Sequence, residues 1–106
     1  ESYPALDQVA RTLMECPDQH FLVAGYTDAK GTEEYNDDLS SRRAKAVLEA
    51  LTERGVSAGM LCSRGFGKRM AVVPESESDD VRKGDRKVVI ERISDELLWK
   101  YLIMND

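Results

Sequence analysis

Four groups of residues combine types and spacing that could do chemistry. Asp28 comes first. It follows Phe21–Thr27, where both alternating sets of side chains are mostly apolar, the pattern of an interior strand covered on both faces. The carboxylate therefore falls at the strand's carboxyl end, where ligands of α/β sheets gather. Taken alone, Asp28 has a plainer role as a turn residue bonding its own backbone. Arg43 is second. In a helix, Asn36, Ser40 and Arg43 follow at i, i+4 and i+7 on the flank of the apolar stripe, whereas Arg42 points away from it. A carboxylate, an amide, a hydroxyl and a guanidinium then border one cleft. The competing reading is a simple Asp28–Arg43 salt bridge that fastens the loop. The third group, Arg64-Gly65-Phe66-Gly67, reads as a tight turn after a strand; no Lys-Ser/Thr follows at phosphate-loop spacing. The fourth, Asp85-Arg86-Lys87, opens a strand and reads as a solvated strand end.

One carboxylate beside one guanidinium suits a zwitterion, the Asp taking an ammonium and the Arg a carboxylate in bidentate fashion. No catalytic set accompanies the pair. There is no Ser/His/acid arrangement, and His20 opens its strand at the end away from Asp28. The acidic run of residues 33–38 is better explained by the helix dipole than by acid–base work. The expectation is a binding module, not an enzyme. No metal and no cofactor is expected: one histidine and two cysteines without Cys-x-x-Cys offer no metal-ligand spacing. Cys16 and Cys62 are open to two readings, a disulfide or two buried thiols.

The elements that must position these groups are legible from periodicity. Leu6, Val9, Ala10, Leu13 and Met14 form one helical face after Pro4, and Cys16-Pro17-Asp18 ends it. Thr32 is the expected N-cap of a second helix with Glu33 and Glu34 in its first turn. It runs to about Arg54, buries Ala44, Val47, Leu48 and Leu51, and stops at Gly55. Met60–Arg64 and Arg86–Ile93 are further strands, joined by a polar connection over 68–85 with one apolar island, Ala71-Val72-Val73. Ser94 is the expected cap of a last helix carrying Leu97, Leu98, Trp99 and Leu102. Strands alternating with helices predict helices packed on one sheet, with the strand–helix–strand unit of 20–65 parallel.

With 106 residues, 42% hydrophobic and 33% charged, the chain has the balance of one small globular domain. Its net charge of −5 argues against general nucleic-acid binding, which needs a basic excess or face. No apolar run nears the roughly 18–20 residues of a membrane-spanning helix, and any membrane attachment is expected through a tether outside this chain. A first residue of Glu1 reads as the start of an excised piece.

Gly25-Tyr26-Thr27-Asp28-Ala29-Lys30-Gly31 and Tyr35-Asn36-Asp37-Asp38-Leu39-Ser40-Ser41-Arg42-Arg43-Ala44 closely resemble the OmpA-like peptidoglycan-binding domain. The likeness continues through Ser63–Gly67 and Asp85–Ile90 and covers roughly residues 5–93. It implies an α+β fold, a two-layer α/β sandwich on a mixed sheet of β-α-β-α-β-β type. Residues 1–93 would be the domain and 94–106 an additional C-terminal helix of it. The family's opening strand has no visible counterpart before Pro4, and its usual Arg-Arg at the last strand is Arg86-Lys87 here. The resemblance implies non-covalent binding of the peptidoglycan stem peptide through its diaminopimelate. Asp28 and Arg43 would be the gripping pair, Thr27, Asn36 and Leu39 would line the pocket, and Arg86 would stand at its rim. It further implies a periplasmic protein tethered to the outer membrane of a Gram-negative bacterium, anchoring an envelope protein or complex to the wall. A scaffold or interaction domain of an envelope assembly with weak or lost wall binding is the alternative.

Overall fold

The computed structural model describes residues 4–105. The first helix, α1 (Pro4–Met14), buries Ala10 and Leu13 and stops before Pro17, which cannot continue it. Strand β1 (Phe21–Tyr26) follows, then α2 (Glu33–Glu53), capped as expected by Thr32, whose hydroxyl accepts from the Tyr35 backbone N–H at 3.1 Å. Gly55 ends this helix in the left-handed region, at φ 102°. A single 3₁₀ turn (Ala58–Met60) leads into β2 (Leu61–Gly65). The polar connection contains one helical turn, α3 (Asp79–Arg82), and a second 3₁₀ turn (Lys83–Asp85) before β3 (Lys87–Arg92). Helix α4 (Glu96–Met104) closes the chain.

The sheet order is β2-β1-β3. β1 pairs in parallel with β2, Phe21 opposite Leu61 and Gly25 opposite Gly65, and antiparallel with β3, Val23 opposite Ile90. This is the mixed sheet of the expected α+β fold. Because side chains alternate along a strand, Phe21 and Val23 pack with Ala10, Leu13, Ala44 and Leu51 of the first two helices. Leu22 and Ala24 face the other way, onto Cys62, Trp99 and Leu102. Helix α4 thus lies on the face opposite α1 and α2. Cys16 packs with the first cluster and Cys62 belongs to the second, so the sheet separates the two sulfurs and no disulfide joins them.

Two glycines set the distance between α2 and the sheet. A Cβ at Gly25 would collide with the backbone carbonyl of Ser40, and one at Gly65 with Ser40 and Ser41. Their absence lets Ser40, fully buried, sit directly on the strands, where its hydroxyl accepts from the Gly67 backbone N–H at 2.9 Å.

One local expectation differs. The cap of α4 is Asp95, one residue after Ser94; its carboxylate accepts from the N–H groups of both Leu97 (2.9 Å) and Leu98 (3.2 Å), and a charged acceptor suits the positive helix end. In the apolar island Ala71-Val72-Val73, Val72 is 84% exposed. Its backbone is what matters: the N–H groups of Val72 and Val73 donate to the buried Asp85 carboxylate at 3.1 and 3.0 Å. That contact closes the connection without an apolar core of its own.

Candidate functional site

The end of β1 delivers Thr27 and Asp28 into the space between the N-terminal half of α2 and the α3 turn. Thr27 is held by its N–H, which donates to Gly67 O at 2.9 Å, and its hydroxyl donates to Asp28 O at 3.0 Å. The loop that follows is tied to α2 by Asn36, whose amide donates to Lys30 O (2.9 Å) and Thr32 O (3.0 Å). Thr27, Asp28, Asn36, Leu39, Arg43 and Arg86 all line one cavity of about 380 Å³. Ser40, which sequence spacing placed on the same flank, points into the sheet instead.

Asp28 and Arg43 are not bonded to each other. The partners of Asp28 come from the far end of the sequence. Arg82 Nη1 donates to Oδ2 at 3.0 Å, and Arg86 Nη1 donates to the same oxygen at 2.6 Å. The Lys30 backbone N–H donates to Oδ1 at 3.0 Å. Burial pushes the Asp28 carboxyl up, but the hydrogen bonds from Arg86 and Lys30 and the two guanidinium charges outweigh it, leaving the group below its ordinary value. Arg86 in turn grips Asp79 with both terminal nitrogens, at 2.8 and 3.2 Å. That bond is the chief cause holding the exposed Asp79 carboxyl low, and it also raises Arg86. The expected rim position of Arg86 therefore becomes a bridge between two carboxylates.

Arg43 is exposed and, among the described residues, makes no ion pair or side-chain hydrogen bond. It is an uncommitted guanidinium at the mouth of the cleft. The salt-bridge reading of Asp28 and Arg43 is overturned, because Arg82 and Arg86 already saturate the near side of the carboxylate. Arg42 lies outside the cleft, paired with Asp38 on the helix surface at 2.7 Å.

Sequence reasoning missed Arg82 and Asp79. Their segment has no apolar periodicity to orient it. The available signal was the spacing of Asp79, Arg82 and Arg86 at i, i+3 and i+7, which places a carboxylate and two guanidiniums on one side of a helical turn.

An ionised carboxylate offers about four acceptor sites; Asp28 uses three. The cleft as a whole presents Lys30, Arg43, Arg82 and Arg86 against Asp28 and Asp79, an excess of positive charge in a chain of net charge −5. Fold and site together define a small α+β domain with a cation-rich cleft at the carboxyl end of its central strand. Residues 1–85 match the family model for the OmpA family, and the chain belongs to that family. It is 41% identical over 70 residues to outer membrane protein A of Klebsiella pneumoniae, covering 64% of this chain and 20% of that protein. It is 35% identical over 88 residues to the peptidoglycan-binding protein ArfA of Mycobacterium tuberculosis, covering 83% of this chain and 27% of that protein. The chain thus spans under a third of either relative's length. The crystal structure of the peptidoglycan-associated lipoprotein from Burkholderia pseudomallei superposes with a TM-score of 0.69 at 32% identity, over 83% of this chain and 72% of that one.

Proposed function

We propose that this domain binds peptidoglycan non-covalently, taking the zwitterionic end of the stem-peptide diaminopimelate into the cleft. The observation that carries the reading is the pairing of a free guanidinium, Arg43, with a buried carboxylate, Asp28, that keeps one acceptor site open. The ligand's carboxylate goes to Arg43 and its ammonium to the open site of Asp28. Thr27, Asn36 and Leu39 shape the walls, and Arg86 holds the far one. No proton transfer or covalent step is involved. The excess of cationic side chains favours a ligand that brings carboxylate groups. Membership of the OmpA family and the likeness to ArfA and to the lipoprotein support the wall polymer as the source of that ligand. On this reading the domain anchors an envelope protein or complex from the periplasm, the membrane attachment lying outside this chain.

Co-sedimentation with purified sacculi tests the proposal. The wild-type domain pellets with sacculi. Arg43→Ala stays in the supernatant while keeping its circular dichroism spectrum, and Arg42→Ala, altered only on the solvent face, pellets like wild type. Equal pelleting of the Arg43 and Arg42 variants rules the reading out.

A further inference from the structure

Arg82 lies outside both motifs that carry the family resemblance, yet it is the most buried cation in the cleft, with a side chain 9% exposed. It acts at two points. Its Nη1 donates to Asp28 Oδ2, and its Nε donates to Glu77 O at 3.0 Å, so one guanidinium joins the end of β1 to the loop before α3. Arg86 reaches the same Oδ2 from the next turn. With both in place, Oδ2 is fully used and only Oδ1 retains an acceptor site beyond its bond from Lys30.

From this geometry we propose that Arg82 is a positioning residue that sets the ligand preference of the cleft. By occupying Oδ2 and adding its charge, it keeps Asp28 from acting as a general ammonium site and makes recognition depend on the ligand's carboxylate. The proposal rests on the zwitterion reading above. Without Arg82, Oδ2 regains an acceptor site and the cleft loses one of its four cations. A ligand end carrying only an ammonium, as in a lysine-type stem peptide, then gains relative to a diaminopimelate end. A residue that merely braced the fold would weaken both ligands by the same factor.

Calorimetry with two synthetic stem peptides, one with diaminopimelate and one with lysine at the third position, reads the ratio of affinities. Wild type favours diaminopimelate at least about tenfold. Arg82→Gln lowers that ratio by about threefold or more, the scale of one partly screened charge. Arg82→Lys keeps the charge and the ratio while weakening both affinities, and Arg82→Met, which also removes the charge and must lower the ratio, serves if the Gln variant does not fold. An unchanged ratio in Arg82→Gln, with both affinities reduced together, overturns the proposal, as does collapse of the ratio in Arg82→Lys. Wild-type binding of neither peptide overturns the zwitterion reading and this inference with it.

Discussion

Arg82 Nη1 lies 3.0 Å from Asp28 Oδ2 across 54 residues of sequence, and each side chain is 9% exposed. This buried ion pair fastens the 74–86 connection to the central strand. The segment has little apolar contact to hold it: Val81 is half exposed, and its other anchors are Arg86 on the same Asp28 oxygen and the Asp85 carboxylate on the backbone of Val72 and Val73. Asp28 is therefore a structural keystone as well as a candidate ligand contact, whereas Arg43 is free of any structural duty among the described residues.

Replacing Asp28 by Asn leaves the buried Arg82 charge with only the exposed Asp79 carboxylate, 3.9 Å from Nη2, to meet it. Removing one partner of a buried pair costs about 3–5 kcal/mol, a large part of the total stability of a domain this size. Urea denaturation of Asp28→Asn is expected to show that loss, while Arg43→Ala stays within about 0.5 kcal/mol of wild type, as is usual for an exposed site. A denaturation midpoint unchanged in Asp28→Asn contradicts the keystone role.

The same pair predicts an acid-sensitive stability. The folded-state carboxyl of Asp28 lies below its ordinary value. Its stabilisation is complete above the unfolded value of about 3.9 and is lost as the pH falls through the lower folded value. The stability gap between wild type and Asp28→Asn is accordingly constant near neutral pH and closes below about pH 4. Urea midpoints collected from neutral pH into the acid range follow this directly; a gap that persists at the acid end contradicts it.

Gly25 permits the contact of α2 with the sheet. In Gly25→Ala the new methyl meets the Ser40 carbonyl, a backbone atom that cannot rotate aside, so the helix must move outward. Overpacking of this kind costs about 1–3 kcal/mol. The helix carries Asn36, Leu39 and Arg43, so sacculus binding is expected to fall further than the loss of folded protein accounts for. Binding per folded molecule, with the folded fraction taken from near-ultraviolet circular dichroism, tests this.

Helix α4 is expected to stabilise the domain through Trp99 and Leu102, both buried against Leu22, Ala24 and Cys62. Arg64 reinforces the docking by donating to Leu102 O at 3.1 Å and Asn105 O at 3.4 Å, and His20 stacks on Trp99 with ring centroids 4.4 Å apart. Trp99→Ala should cost about 3–5 kcal/mol. Trp99 is the single tryptophan of the chain, so its fluorescence in the wild type reports the docking. It should change in one transition with the far-ultraviolet signal. A separate, earlier fluorescence transition would mean that α4 undocks while the rest stays folded.

The local code is legible in the sequence itself. Apolar spacing announced α1 and α2, Thr32 and Gly55 marked the ends of α2, and the doubly apolar run of β1 announced a strand buried on both faces. These follow from interactions within a turn or two of chain, which periodicity and capping chemistry record. The same short-range logic put Asp28 at a strand end and Arg43 on a helix flank, hence near one cleft. Which residues Asp28 bonds was decided only by the fold. The antiparallel return of β3 beside β1 brings Arg82 and Arg86 to a carboxylate more than fifty residues away, and no local pattern encodes that meeting. The placing of α4 on the far face, the separation of Cys16 from Cys62 by the sheet, and the freedom of Arg43 have the same origin. Each depends on which surfaces the strand order β2-β1-β3 brings together, and ion pairs between distant segments are chosen by that packing.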